Sequence, residues 1–304
     1  MGKIAFVFSG QGAQFSGMGL DYYKNNPAAK AVFDEAEKRC PDTLRLCFEG
    51  QEEEIKQTRN TQVCMFTFEM AIVKALENAG ICPDMVAGFS LGEFSALTAA
   101  GANDFGKMLS LVEQRGTFMQ AAAGECSAAM VAVLKLPKEK IEALCSNFSH
   151  VYAVNFNCPG QISVTADKEA IPAFSAAVKE AGGRVLPLKV AGGFHSPFMT
   201  DAGVAFAKVL DSFPMQALRL PVVANVTGQF YGDDIKGILK RQMVSPVMWE
   251  QSIQTLIENG ADTFIEIGPG NVLGGMIKRI NSSVKILSSG DYEAFQEVLR
   301  GVKQ

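Results

Sequence analysis

Histidine is scarce in this chain: His150 and His195 are the only two in 304 residues, and there is a single tryptophan, Trp249. With so few imidazoles, and seven scattered cysteines that form no C-x-x-C pair, a zinc-ribbon or finger-type metal site is excluded. An odd number of dispersed thiols also argues against a disulfide framework and favours a reducing, cytoplasmic setting. No long run of one charge occurs, and the net charge is −4, so a nucleic-acid footprint is not indicated. No apolar run reaches the length of a membrane span. Met1-Gly2-Lys3 leads straight into Ile4-Ala5-Phe6-Val7-Phe8, too short for a signal-peptide core and expected to be a buried strand. Repeats and low-complexity tracts are absent.

What is present is an ordinary globular composition, 48% hydrophobic, enough for a full core. Before Cys126 the pattern alternates strands and long helices. Ile4–Phe8 ends in a Gly-rich turn, and 85–89 runs directly into Ser90 and a helical stretch, the order expected of a parallel α/β sheet. From Ala128 the pattern predicts strand 129–134, helix 137–145, strand 151–156, strand 162–165, helix 168–181 and strand 184–190. This βαββαβ order is that of a ferredoxin-like unit. Strands over 222–226 and 263–267 then resume the first texture. The expected fold is α/β: a large domain with a parallel sheet over residues 1–124 and 193–304, carrying an inserted small domain over 125–192.

Gly88-Phe89-Ser90-Leu91-Gly92 matches the G-x-S-x-G nucleophile elbow between a predicted strand and a predicted helix. Ser90 and Glu93 also read as an S-x-x-E capping box at an ordinary helix start, and the pattern alone does not separate the two. A serine nucleophile needs a base. His150, among Asn147, Phe148 and Ser149, reads as a turn residue. His195 lies in Gly192-Gly193-Phe194-His195-Ser196-Pro197, where the chain leaves the small domain and a base would face a cleft; a histidine held there by packing alone is the other reading. On the helix expected over 104–123, Arg115 shares the apolar stripe of Met108, Leu111, Val112 and Met119. A buried arginine needs an anion, either an internal acid or the carboxylate of a substrate. The turn Ser9-Gly10-Gln11-Gly12 lacks the third glycine of a dinucleotide loop, and its N–H groups suit an oxyanion hole.

These motifs together resemble the malonyl-CoA:acyl carrier protein transacylases of fatty acid synthesis and the acyltransferase domains of polyketide synthases. The resemblance runs nearly end to end through Phe8–Gln14, Gly17-Met18-Gly19, Asn60-Thr61-Gln62, Gly88–Glu93, Arg115-Gly116, Asn155–Gln161, Phe194–Pro197, Ser245–Trp249 and Gly268-Pro269-Gly270. It implies an α/β-hydrolase-like large domain with a ferredoxin-like small one, and ping-pong malonyl transfer from malonyl-CoA to the phosphopantetheine thiol of acyl carrier protein. By the same resemblance Ser90 is the acylated nucleophile, His195 its base, and the N–H groups of Gln11 and Leu91 the oxyanion hole. Arg115 holds the malonyl carboxylate, Gln62 and Asn157 line the cleft, and Phe194 crowds branched acyl chains. A backbone carbonyl orienting the histidine is matched to Met248. No metal or redox cofactor is implied. Phe89 departs from the histidine that many members carry before the nucleophile, which predicts an apolar wall there. A serine hydrolase is a rival, although no histidine follows His195; a noncatalytic carrier-binding subunit and a stand-alone polyketide acyltransferase are others.

Overall fold

A computed structural model describes residues 2–188, 190 and 192–302. Among the described residues, nine strands fall into two sheets. The first joins β1 (Lys3–Phe8), β2 (Met85–Gly88), β7 (Val222–Val223), β8 (Ala261–Ile267) and β9 (Lys285–Ser288) in the order β7-β2-β1-β8-β9, all parallel. Side chains alternate across a strand, and β1 shows the result. Phe6 and Phe8 enter the larger core under the helices Thr58–Asn78 and Phe105–Glu125, while Ala5 and Val7 enter a second core with Trp249, Ile253 and Leu256. Helices therefore cover both faces, as a parallel sheet requires.

The second sheet holds β3 (Ala128–Leu134), β4 (Val151–Cys158), β5 (Gln161–Asp167) and β6 (Arg184–Pro187), antiparallel in the order β4-β5-β3-β6. With helices Lys138–Ser146 and Ile171–Glu180 this is the ferredoxin-like order expected from the sequence. Val131, Val133, Phe156, Ile162 and Val164 pack toward those helices. The opposite face turns Met130, Ala132, Asn155, Asn157 and Ser163 toward a cavity shared with the first sheet. Residues of the 245–249 segment tie the two sheets together, since Val247 donates to Val154 O and accepts from Phe156 N.

The strand expected over 184–190 stops at Pro187, and Lys189 lies outside the described residues. The strand expected over 222–226 is also shorter. It leaves the sheet after Val223 into a turn closed by Gly228 N to Ala224 O, and Asn225 is thereby swung under Ser90.

Candidate active site

β2 ends at Gly88 and the helix Gly92–Ala99 begins four residues later, so the chain reverses within Phe89-Ser90-Leu91. That reversal needs both glycines. A Cβ on Gly88 would meet Gly92 O at 1.9 Å, and one on Gly92 would meet Phe8 O at 2.3 Å. Ser90 takes φ 54°, the left-handed region that a side chain seldom adopts, as strained nucleophile turns do. The strain is held on both sides: Ser90 N donates to Asn225 Oδ1 at 2.7 Å and Ser90 O accepts from Gln242 Nε2 at 2.8 Å. The capping-box alternative is not realised, since Ser90 Oγ faces His195 and Glu93 bonds elsewhere.

His195 is buried with φ 59°, and its Nε2 lies 2.7 Å from Ser90 Oγ. Its Nδ1 lies 3.0 Å from the carbonyl oxygen of Gln242. A carbonyl can only accept, so Nδ1 carries the proton and Nε2 presents its lone pair to the serine. The orienting carbonyl is therefore that of Gln242, and the expectation of Met248 is corrected. Met248 O is committed to the start of the helix Trp249–Glu258, accepting from Ser252 N at 2.9 Å and Ser252 Oγ at 2.8 Å, while Met248 N donates to Asn225 O. Burial, with the neighbouring Arg115 cation adding to it, pulls the His195 pKa down to about 4. His150 is an exposed turn residue, as expected.

Arg115 is fully buried on the helix Phe105–Glu125, and its hydrogen bonds all go to neutral oxygens. Nη1 donates to Gln62 Oε1 at 2.9 Å; Nη2 donates to Gln242 Oε1 at 2.8 Å and to Ser90 Oγ at 3.2 Å. The guanidinium lies over the Phe94 ring, 5.1 Å from its centroid, and Nε has no partner. Burial lowers its pKa to about 9, partly offset by Glu93, which leaves it charged at neutral pH. The internal acid considered as its partner is thus one side chain removed. Glu93 Oε2 accepts from Gln242 Nε2 at 2.7 Å, and Glu93 Oε1 accepts from Tyr231 OH at 2.7 Å and Asn225 N at 2.9 Å. Asn225 and Gln242 were missed by sequence reasoning. Neither lies in a recognisable motif, and only the meeting of elements more than a hundred residues apart reveals them.

The cavity beside Ser90 is about 330 Å³, within the range of small-molecule sites. Gln11, Ser90, Asn157, Phe194 and His195 line it, whereas Gln62 and Arg115 stand behind it. Asn155 Oδ1 and Asn157 Oδ1 have no partner there, though Asn157 Nδ2 donates to Ser163 Oγ at 3.2 Å. Among the described residues neither Gln11 N nor Leu91 N donates to another group, as the N–H pair of an oxyanion hole requires. Phe89 lines the cavity and packs edge-on against Trp249 with centroids 5.4 Å apart, the apolar wall its identity predicts. A more open groove of about 860 Å³, near Lys135 and Arg279, contains none of these groups.

No helix among the described residues is long and apolar enough to cross a membrane. Residues 5–297 match the acyl transferase domain model. The malonyl CoA-acyl carrier protein transacylase of Bacillus subtilis is 40% identical over 312 residues, covering 100% of this chain and 98% of that protein. The crystal structure of the Clostridium perfringens protein of the same name superposes with a TM-score of 0.96 at 36% identity, covering 99% of this chain and 97% of the other. A malonyl-transacylase in complex with a type II PKS acyl-carrier protein superposes with a TM-score of 0.95 at 35% identity, covering 98% of this chain and 99% of the other. With a family match over residues 5–297 and relatives of 36–40% identity covered nearly end to end, the chain belongs to the acyl transferase family.

Proposed function

We propose that this chain transfers the malonyl group of malonyl-CoA to the phosphopantetheine thiol of acyl carrier protein, in the cytoplasm, for fatty acid synthesis. The observation that carries the reading is Arg115: a buried cation held by neutral oxygens alone, with Nη2 3.2 Å from Ser90 Oγ. A guanidinium so placed lacks an anion where the acyl end of a substrate would lie, and a carboxylate fits it by a two-pronged contact. In the first half-reaction His195 Nε2 takes the Ser90 proton while Oγ attacks the thioester carbon. The N–H groups of Gln11 and Leu91 hold the oxyanion. The carbon–sulfur bond then breaks, His195 returns its proton to the CoA sulfur, and malonyl remains as an ester on Ser90. In the second half-reaction the carrier thiol gives its proton to His195 and attacks that ester; the acyl carbon–Oγ bond breaks, His195 returns the proton to Ser90 Oγ, and malonyl leaves as a thioester on the carrier. The chain's own Ser90, His195 and Arg115, with the N–H groups of Gln11 and Leu91, supply the groups these steps use. Residues 1–124 and 193–304 form the domain bearing the nucleophile, and 125–192 the small domain that roofs the cavity with Asn157.

Incubation with malonyl-CoA alone is expected to leave a single malonyl adduct on Ser90, read by intact mass and peptide mapping, and added acyl carrier protein should discharge it. Label found only on a cysteine would defeat the assignment. The partner complex of the similar malonyl-transacylase favours a second reading, a stand-alone acyltransferase for a polyketide carrier; rates of discharge by fatty-acid and polyketide carriers distinguish the two.

His195 must be neutral to act as base. Its pKa, lowered by burial and by Arg115 to about 4, keeps it neutral well below its ordinary value of 6.5. The acid limb of malonyl kcat/KM is therefore expected near the lower value, with activity lost as pH falls through it. An acid limb at the ordinary histidine value would show that the free enzyme's base is a solvated group.

A further inference from the structure

Gln242 stands between the buried carboxylate of Glu93 and the buried guanidinium of Arg115, and its amide can face only one way. Nε2 donates to Ser90 O at 2.8 Å and to Glu93 Oε2 at 2.7 Å, two groups that only accept. Oε1 is thereby turned to Arg115 Nη2 at 2.8 Å. A flipped amide would set N–H against guanidinium N–H and oxygen against two oxygens. Glu93 itself cannot turn away, because its other oxygen is engaged by Tyr231 OH at 2.7 Å and Asn225 N at 2.9 Å.

We propose that Glu93 is a positioning residue for the substrate carboxylate, fixing the Gln242 amide so that its oxygen holds Arg115 in place. The inference rests on the assignment of Arg115 to the malonyl carboxylate. Its physical logic lies in the spacing. A carboxylate touching Arg115 would compete with the substrate for the same donors; with no carboxylate nearby, a buried cation would be poorly compensated. One amide between them keeps Glu93 close enough to favour the charge of Arg115 and leaves the guanidinium without a carboxylate of its own.

Glu93→Gln isolates this role. Tyr231 and Asn225 both donate, so the new side chain must give them its oxygen, and the support of Ser90 through Asn225 is retained. Its NH2 group then faces Gln242 Nε2, donor against donor; Nε2 keeps Ser90 O as its acceptor, but the Gln242 amide loses its tether on the Glu93 side and with it its fixed hold on Arg115. Malonyl kcat/KM is expected to fall about 10- to 100-fold, mostly through KM, while acetyl kcat/KM changes less than about threefold. Tyr231→Phe serves as the comparison: it removes a donor from the same carboxylate without touching Gln242. It is expected to lower the melting temperature and keep the malonyl-to-acetyl ratio. An equal fall for both substrates in Glu93→Gln, or an unchanged malonyl KM, overturns the proposal. Should Glu93→Gln not fold, Glu93→Asp withdraws the carboxylate from Gln242 and is expected to lower the same ratio; a wild-type ratio there overturns the proposal equally. Arg115→Ala in the same assay separates the layers. If Arg115→Ala collapses the ratio and the Glu93 variants do not, the Glu93 role alone fails; if Arg115→Ala leaves the ratio unchanged, the carboxylate assignment fails and the Glu93 role with it.

Discussion

Replacing His195 with alanine is expected to slow malonyl transfer by about 10³- to 10⁵-fold, the loss typical of a catalytic unit deprived of its base. The loss should fall on kcat. On the proposed reading Arg115 is still present to bind the substrate, but among the described residues the other side chain hydrogen-bonded to Ser90 Oγ is Arg115, whose Nη2 is a donor and cannot take the proton. Ser90→Ala should leave no acyl adduct by mass, although the cavity and Arg115 remain. Single-turnover acylation followed by mass spectrometry measures both. Near-normal turnover in the His195 variant would remove that residue from the mechanism.

Arg115→Ala is expected to divide the substrates rather than silence the protein. A malonyl carboxylate left desolvated and unpaired costs roughly 2–5 kcal/mol, as for other truncated charge pairs, or about 30- to several-thousand-fold in kcat/KM. Acetyl-CoA brings no carboxylate and should lose little. The variant also leaves Gln62 Oε1 and Gln242 Oε1 without their donor, so some thermal stability is lost whichever substrate is used. The decisive quantity is therefore the ratio of malonyl to acetyl kcat/KM, with melting as the control. A proportional loss for both substrates would make Arg115 a structural cation and take away the main support for a dicarboxylic acyl group.

The parts of this site legible in the sequence are those whose chemistry is local. A tight strand-to-helix reversal needs small residues close together, so Gly88 and Gly92 mark the elbow around Ser90 without any tertiary information. Arg115 is conspicuous because a charge on an apolar stripe must be explained. The ferredoxin-like unit was legible for the same reason, since its hydrophobic periods and its Pro and Gly boundaries are short-range. Gln242 illustrates what was not. It ends a short helix, Ile235–Gln242, whose apolar pattern says only that one face is buried. Nothing nearby announces that its carbonyl meets His195 and its amide meets Ser90, Glu93 and Arg115. The match to Met248 failed because a backbone carbonyl leaves no mark on side-chain identity. Asn225 was obscured by the apolar run around it, which reads as a longer strand than the two residues that pair.

The support of His195 by a peptide carbonyl rather than a carboxylate bears on how long an acyl-enzyme lasts. A carboxylate would favour the imidazolium and make a stronger base; the Gln242 carbonyl is neutral, and the nearby Arg115 cation opposes a second positive charge. A weak base discriminates among proton donors. A thiol with a pKa of about 8.5 surrenders its proton readily, whereas water, at about 15.7, asks far more of the same imidazole. On the proposed mechanism, a malonyl ester on Ser90 would thus be poorly equipped for hydrolysis and well suited to wait for a carrier's thiol. On that mechanism its lifetime would be set by the modest basicity of His195.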